Sequence, residues 1–295
     1  MRGKNLPDHY VLCLIDVLGQ KKKLDKWAKW PPNGQLNPDF MDAFNQTAGL
    51  VEGYEDEFKN NVKLLDEKFS PDQLGGLPKP WQEGYKRTED CDVLIERFSD
   101  TFLLFSLLPN MHGDASSTPL HRILRTCCIF MLVSLARKVP LRGAITVGTG
   151  AVLHDESFYG PALAEAHHLE SAIVGYPRVI VSPAVCEFLA EGKVYSQNSE
   201  TQQIMQHTAQ ECRSFLSQDV DGYWIVDFLG EGIRNLLDTD IHAKTMARKG
   251  FDFVQSELAR FQQAGDAKLT PRYWLLKRYI ESRLPNWGIS QKTCH

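Results

Sequence analysis

Residues 10–20 read YVLCLIDVLGQ: an apolar run over positions 10–15 that ends on Asp16 and is followed by Gly19. A short continuous apolar run of this kind predicts a buried β-strand. The carboxylate at its end is expensive to bury without a partner, so it marks the strand's end and a place where charge has a use. Downstream, residues 93–108 (VLIERFSDTFLLFSLL) read as two short strands joined near Ser99-Asp100, which sets a second aspartate at an exposed hairpin turn. Residues 121–138 are apolar nearly all round and predict a buried helix. Residues 141–150 (LRGAITVGTG) read as a strand closed by glycines, and Gly160-Pro161 opens a helix over 162–172 with proline at a favoured early position. A strand over 177–182 (PRVIVS) follows, and Ser182-Pro183 caps a short helix to Leu189.

The rest of the chain is less sharply marked. Pro31-Pro32-Asn33-Gly34 is a break, and residues 38–69 form a long amphipathic stretch carrying Phe40, Phe44, Leu50, Val51, Tyr54, Phe58 and Leu65 at mostly helical spacing. Residues 70–89, rich in Gly, Pro and charge, read as loop, and 196–210 as a polar, mobile stretch. A strand around 223–228 and two helices over 240–284 complete the chain, with no internal repeat. Two βαβ units feeding one sheet predict an α+β fold, a ferredoxin-like βαββαβ core with helices against one face. The expected organisation is a core over residues 1–190 and an α-rich C-terminal extension over 191–295, its strand and helices packed on the core.

Composition narrows the function classes. The 295 residues carry 33 Lys plus Arg against 37 Asp plus Glu, a net charge of -4 that gives no reason to expect nucleic acid as a partner. The strongest apolar run, residues 126–136, falls short of the roughly 20 residues needed to span a bilayer. The start, MRGKNLPDHY, has no apolar signal core, so the expectation is a cytoplasmic protein without a membrane partner. Cys13, Cys91, Cys127, Cys128, Cys186, Cys212 and Cys294 are scattered, odd in number and without a CxxC, which disfavours a zinc site or disulfide framework. His167 and His168 are adjacent rather than at the spacing that aligns two imidazoles on a helix face.

Asp16 and Asp100 are the informative pair. Strand 1 and the hairpin strands are neighbours in a ferredoxin-like sheet, so the two carboxylates converge at one edge. Such groups repel unless a cation sits between them, and hard Mg²⁺ or Mn²⁺ suits oxygen ligands together with substrate phosphates. The competing reading makes Asp100 a turn residue and Asp16 a loop starter. Val17, Leu18, Gly19 and Gln20 form a short loop whose N–H groups suit phosphate oxygens, with Lys21, Lys22 and Lys23 adding charge or simply forming a solvated face. No GxxxxGK and no strand-linked GxGxxG is present, which excludes a P-loop and a dinucleotide fingerprint.

Asp16 in YVLCLIDVLGQ and Asp100 in ERFSDTF resemble the two metal-binding aspartates of class III nucleotide cyclases. The run LRGAITVGTGAVLHDESFYGPALAEAHHLESAIVGYPRVIVSP is similar to that family's Arg-x-Gly-Ile strand, Gly-opened helix and Ile-Val-Ser strand, so the resemblance spans residues 10–189. RGAI, FYGPALAEA, LE and YPRVIVS look closest to the bacterial pyrimidine cyclases of the Pycsar anti-phage system. The resemblance implies conversion of UTP, or of CTP, to the 3′,5′-cyclic nucleotide and pyrophosphate, and a separate effector protein that reads the product. It implies two Mg²⁺ or Mn²⁺ ions held by Asp16, Asp100 and the Val17 carbonyl, with Arg142 as the basic group at the phosphates or in a structural salt bridge. It also implies a homodimer with sites at the interface. The chain departs from the purine enzymes. Ala164 and His168 stand where those have a transition-state Asn and Arg, and Glu96 and Ser157 stand where adenylyl cyclases read the base. Glu96 suits a guanylyl cyclase as well as a pyrimidine reader, and Tyr54 is a candidate wedge against purines, with core packing as its other role. The rival functions are a guanylyl or adenylyl cyclase and a degenerate, non-catalytic nucleotide-binding homologue.

Overall fold

The computed structural model describes residues 6–30, 34, 36–67, 78–89, 92–109, 114–153, 157–190, 196–237 and 241–289. The break at Pro31-Pro32-Asn33, the first part of the expected loop (70–77), Cys91 and Cys294 lie outside them, as do the side chains of Lys21, Lys22 and Leu65.

The apolar run forms β1 (Asp8–Val17), the centre of a mixed α/β architecture. Next come α1 (Lys21–Leu24), the long α2 (Pro38–Glu67) and α3 (Lys79–Glu89), then the hairpin β2 (Leu94–Phe98) and β3 (Thr101–Leu107). Helix α4 (Thr118–Ala136), β4 (Leu141–Val152), the short β5 (Phe158–Tyr159) and α5 (Pro161–His168) follow. A π turn (Leu169–Ile173) continues α5 and leads to β6 (Val179–Val181) and α6 (Pro183–Leu189). The remaining elements are α7 (Ser199–Ser214), β7 (Leu216–Gln218), β8 (Trp224–Val226), α8 (Glu231–Leu236), α9 (Ile241–Gln263) and α10 (Leu269–Arg283). The sheet order is β2-β3-β1-β4-β6-β8-β7, with β5 paired to β4. The pairs β2–β3, β3–β1 and β1–β4 are antiparallel, and β4–β6 is parallel. Strands β7 and β8 therefore extend the sheet that β1 starts.

Because side chains alternate along a strand, β1 sorts its residues onto two faces. Val11, Cys13, Ile15 and Val17 join a large core beneath α2 and α4, where Phe58 stacks on Phe130 with ring centroids 3.5 Å apart. In that core the Cys13 and Cys127 thiols meet at 3.3 Å. Tyr10, Leu12 and Leu14 face the other way, against Phe158, Ala162 and Ala166. The expectation of helices on one face is corrected here, because α5 packs on the second. The glycines make that possible: a Cβ on Gly150 would lie 2.1 Å from the Phe158 ring, and one on Gly160 (φ 148°) would lie 2.6 Å from the Gly150 Cα.

Two expected loops are also helices. Within the described part of the stretch read as loop, α3 packs on α7, and Gly84 is the contact point, since a Cβ there would meet Ile204 Cδ1 at 2.7 Å. The polar stretch at 196–210 is largely α7, whose first turn is capped by Asn198 accepting the Thr201 N–H at 2.9 Å. Among the described residues one helix, α4, is long and apolar enough to cross a membrane, and 78% of its apolar window is buried inside the protein.

Candidate active site

The ends of β1, β3 and β4 build one polar corner. Asp16 is the cross-strand partner of Thr101 on β3 and of Arg142 on β4. Directly opposed residues of antiparallel strands project from the same face, so these three side chains meet. Thr101 Oγ1 donates to Asp16 Oδ1 at 3.4 Å, and Arg142 Nε donates to Asp16 Oδ2 at 3.1 Å. Asp100 sits one residue before Thr101 in the hairpin, and its carbonyl accepts the Val17 N–H at 3.1 Å. The two aspartates are thus on neighbouring strand ends tied by a backbone bond. Ser99, at φ 61°, takes the left-handed conformation that the two-residue turn demands, a position where glycine is the easier residue. Among the described residues the Asp100 carboxylate has no hydrogen-bond or ion-pair partner.

A carboxylate not singled out in the sequence completes the corner. Glu170, buried on the π turn, brings Oε1 to 2.6 Å from Arg142 Nε. Burial raises its carboxyl above the usual range; Arg142 opposes the rise and Asp16 reinforces it. In the sequence Glu170 stands among Glu165, His167, His168 and Ser171, so composition does not distinguish it from a residue on a solvated face.

The same face opens into a cleft of about 790 Å³ between the hairpin and α5, lined among others by Leu14, Phe98, Thr101, Tyr159, Ala164 and His167. Ala164 reaches the cleft, whereas His168 is exposed and the neighbouring His167 takes the lining position. Glu96 shares the face of its cross-strand partner Leu103 and accepts the Phe158 N–H with Oε1 at 2.8 Å. Its Oε2 is buried without a partner, and burial raises its carboxyl despite the Phe158 bond. Ser157 is exposed, and its carbonyl accepts the Leu153 N–H at 2.9 Å. Tyr54 is corrected as a purine wedge. It lies in the core beneath α4, against Phe130, on the opposite face of the sheet from Asp16. Burial pushes its hydroxyl up to about 12.

No family model, curated protein or solved structure matches this chain.

The loop after β1 is tighter than the sequence suggested. Val17 and Leu18 give their N–H groups to Asp100 and Pro140, and Gln20 accepts the first bonds of α1, which leaves the exposed Gly19 (φ 83°) and the buried Gln20 as the loop amides without an acceptor among the described residues. Among the described residues no group of three or more His, Cys, Asp and Glu side chains is arranged to hold a metal ion.

Proposed function

We propose that this protein is a nucleotide cyclase of the pyrimidine kind, forming a 3′,5′-cyclic nucleotide and pyrophosphate from UTP or CTP. The observation that carries the reading is the junction of Asp16 and Asp100 on strand ends joined by the Val17–Asp100 bond, beside an open cleft. The order β2-β3-β1-β4, antiparallel throughout, supports the finer fold reading, because it is the order of a ferredoxin-like βαββαβ core. The residues fit two Mg²⁺ or Mn²⁺ ions in their chemistry. Mg²⁺ keeps several waters and takes one or two carboxylates plus substrate phosphates, so a closed cage of protein ligands is not required. The Asp100 carboxylate, without a partner among the described residues, is a ready donor, and Asp16 becomes one when Arg142 turns away.

Bound cations would supply activation of the ribose 3′-OH and charge neutralisation at the departing pyrophosphate. The chain's own residues do the holding and orienting. Asp16 and Asp100 would hold the ions with the Val17 carbonyl as a third oxygen, and the Gly19 and Gln20 amides would take phosphate oxygens beside Leu18. Arg142 supplies positive charge beside the reacting phosphate. Glu96 keeps one unpartnered acceptor oxygen, which suits the N–H donors of uracil or cytosine. Phe98 and Tyr159, 50% and 69% exposed at the cleft, support a second copy of the chain closing the site as a homodimer. The product would act on a separate effector.

One observation favours the second reading, a non-catalytic nucleotide-binding homologue. Ala164 and the exposed His168 offer neither the amide nor the guanidinium that purine cyclases use. Incubation with each of the four labelled ribonucleoside triphosphates and Mn²⁺, with the products resolved, separates the readings. Cyclic UMP or cyclic CMP is the expected product. Cyclic AMP or cyclic GMP alone overturns the substrate assignment, and no cyclic product with any triphosphate overturns the enzyme.

A further inference from the structure

Arg142 stands between two carboxylates and satisfies them unequally. Its Nε–H points at Asp16 Oδ2, 3.1 Å away, yet Glu170 Oε1 is closer, at 2.6 Å. That nearer oxygen makes no hydrogen bond, so it lies off the N–H direction. A small rotation of the guanidinium hands the bond from Asp16 to Glu170. Glu170 is held for this by the π turn, closed by the Val174 N–H to Leu169 carbonyl bond at 3.0 Å. Single π turns inside helices recur at functional sites, where the extra residue re-aims a side chain.

We propose that Glu170 is a positioning residue that takes the Arg142 guanidinium off Asp16 when a divalent cation arrives. This rests on the cyclase reading above. The reason is electrostatic. A cation on Asp16 needs the oxygen that Arg142 holds, and two positive charges a few ångströms apart repel. With Glu170 present, the four charges separate into two pairs, cation with Asp16 and Arg142 with Glu170. Neither the half-buried Asp16 nor the buried Glu170 is then left alone, a state that costs more than a paired one the deeper the charge lies. Without the charge at Glu170, Arg142 has only Asp16 and competes with the metal for it.

The test is Mn²⁺ binding to the nucleotide-free protein, read from the electron paramagnetic resonance signal of free Mn²⁺. Glu170→Gln is expected to weaken Mn²⁺ binding about tenfold, the scale of one charge-assisted contact. Removing the competitor as well, in Glu170→Gln/Arg142→Gln, is expected to restore wild-type affinity or better. A single variant that binds as tightly as wild type, or a double variant as weak as the single, overturns the proposal. Should Glu170→Gln fail to fold, Arg142→Gln alone decides: tighter binding than wild type supports the competition and equal or weaker binding overturns it. Asp16→Asn and Asp100→Asn keep the two levels apart. If both bind Mn²⁺ as wild type does, the metal site itself fails. If both lose Mn²⁺ while Glu170→Gln keeps it, only the role of Glu170 fails.

Discussion

The two faces of β1 differ in kind although their residues alternate along one strand. Val11, Cys13, Ile15 and Val17 are sealed under α2 and α4 in a continuous apolar core. Tyr10, Leu12 and Leu14 lie under β5, α5 and the π turn that continues it, and beyond Leu14 the cover gives way to the cleft and to Asp16. One face carries stability and the other carries charge with room for a ligand. A strand can do both because a step of one residue moves a side chain to the opposite side of the sheet.

The sharpest way to break that division is to remove charge from the open face. Asp100→Ala is expected to cut cyclisation at least a thousandfold, roughly 4 kcal/mol of barrier. A turn side chain without partners contributes little to folding, so the urea midpoint should move by no more than about 0.5 kcal/mol in stability. An inactive variant that is also unfolded contradicts the division. On the closed face the expectation is reversed. Phe58→Ala removes a buried ring stacked on Phe130 and should cost about 3–5 kcal/mol in urea unfolding. At permissive temperature it should leave the product unchanged.

His121 sharpens the comparison from the side of the closed core. Burial pushes its imidazole down to about 3, and Arg125, Arg122 and His207 push the same way, although Glu211 lies 3.6 Å from its Nε2. The folded protein therefore keeps this histidine neutral while the unfolded chain protonates it near 6.5. Between those values the unfolded state binds more protons, so stability falls as the pH drops from about 6.5 towards 3. The slope from this one group reaches at most roughly 1.4 kcal/mol per pH unit. Unfolding measured across that range should be flatter by up to that slope in His121→Gln.

The smallest effect is expected at Tyr54. Its hydroxyl is buried without a partner, so Tyr54→Phe should leave stability unchanged or raise it by up to about 1 kcal/mol in thermal unfolding. A loss of base selectivity in the same variant would return Tyr54 to the site.

Much of the architecture could be read from the sequence where local pattern and tertiary role agree. The apolar run ending at Asp16 and the turn at Ser99-Asp100 are such places: a two-residue hairpin leaves little freedom in where its aspartate goes. Reading failed where a residue type serves a packing purpose that mimics its usual local meaning. Gly84 signals a loop, yet it is the point where α3 approaches α7. Helix α7 hides behind its own polarity, because Thr201 and Thr208 are buried alongside Ile204, Met205 and Cys212. At the candidate site, strand neighbours made Asp16 and Asp100 visible, and Arg142 stood out only by its place before the Gly-Ala-Ile run. Glu170 was not, because its meeting with Arg142 depends on a π turn that no spacing rule announces.

The most direct measurement is a structure of the protein with Mn²⁺ and a UTP analogue lacking the 3′-hydroxyl, which binds but does not cyclise. The account predicts metal density bridging the side chains of Asp16 and Asp100, with the triphosphate alongside and Arg142 turned to Glu170. Nucleotide bound elsewhere, or metal density touching neither aspartate, would contradict it.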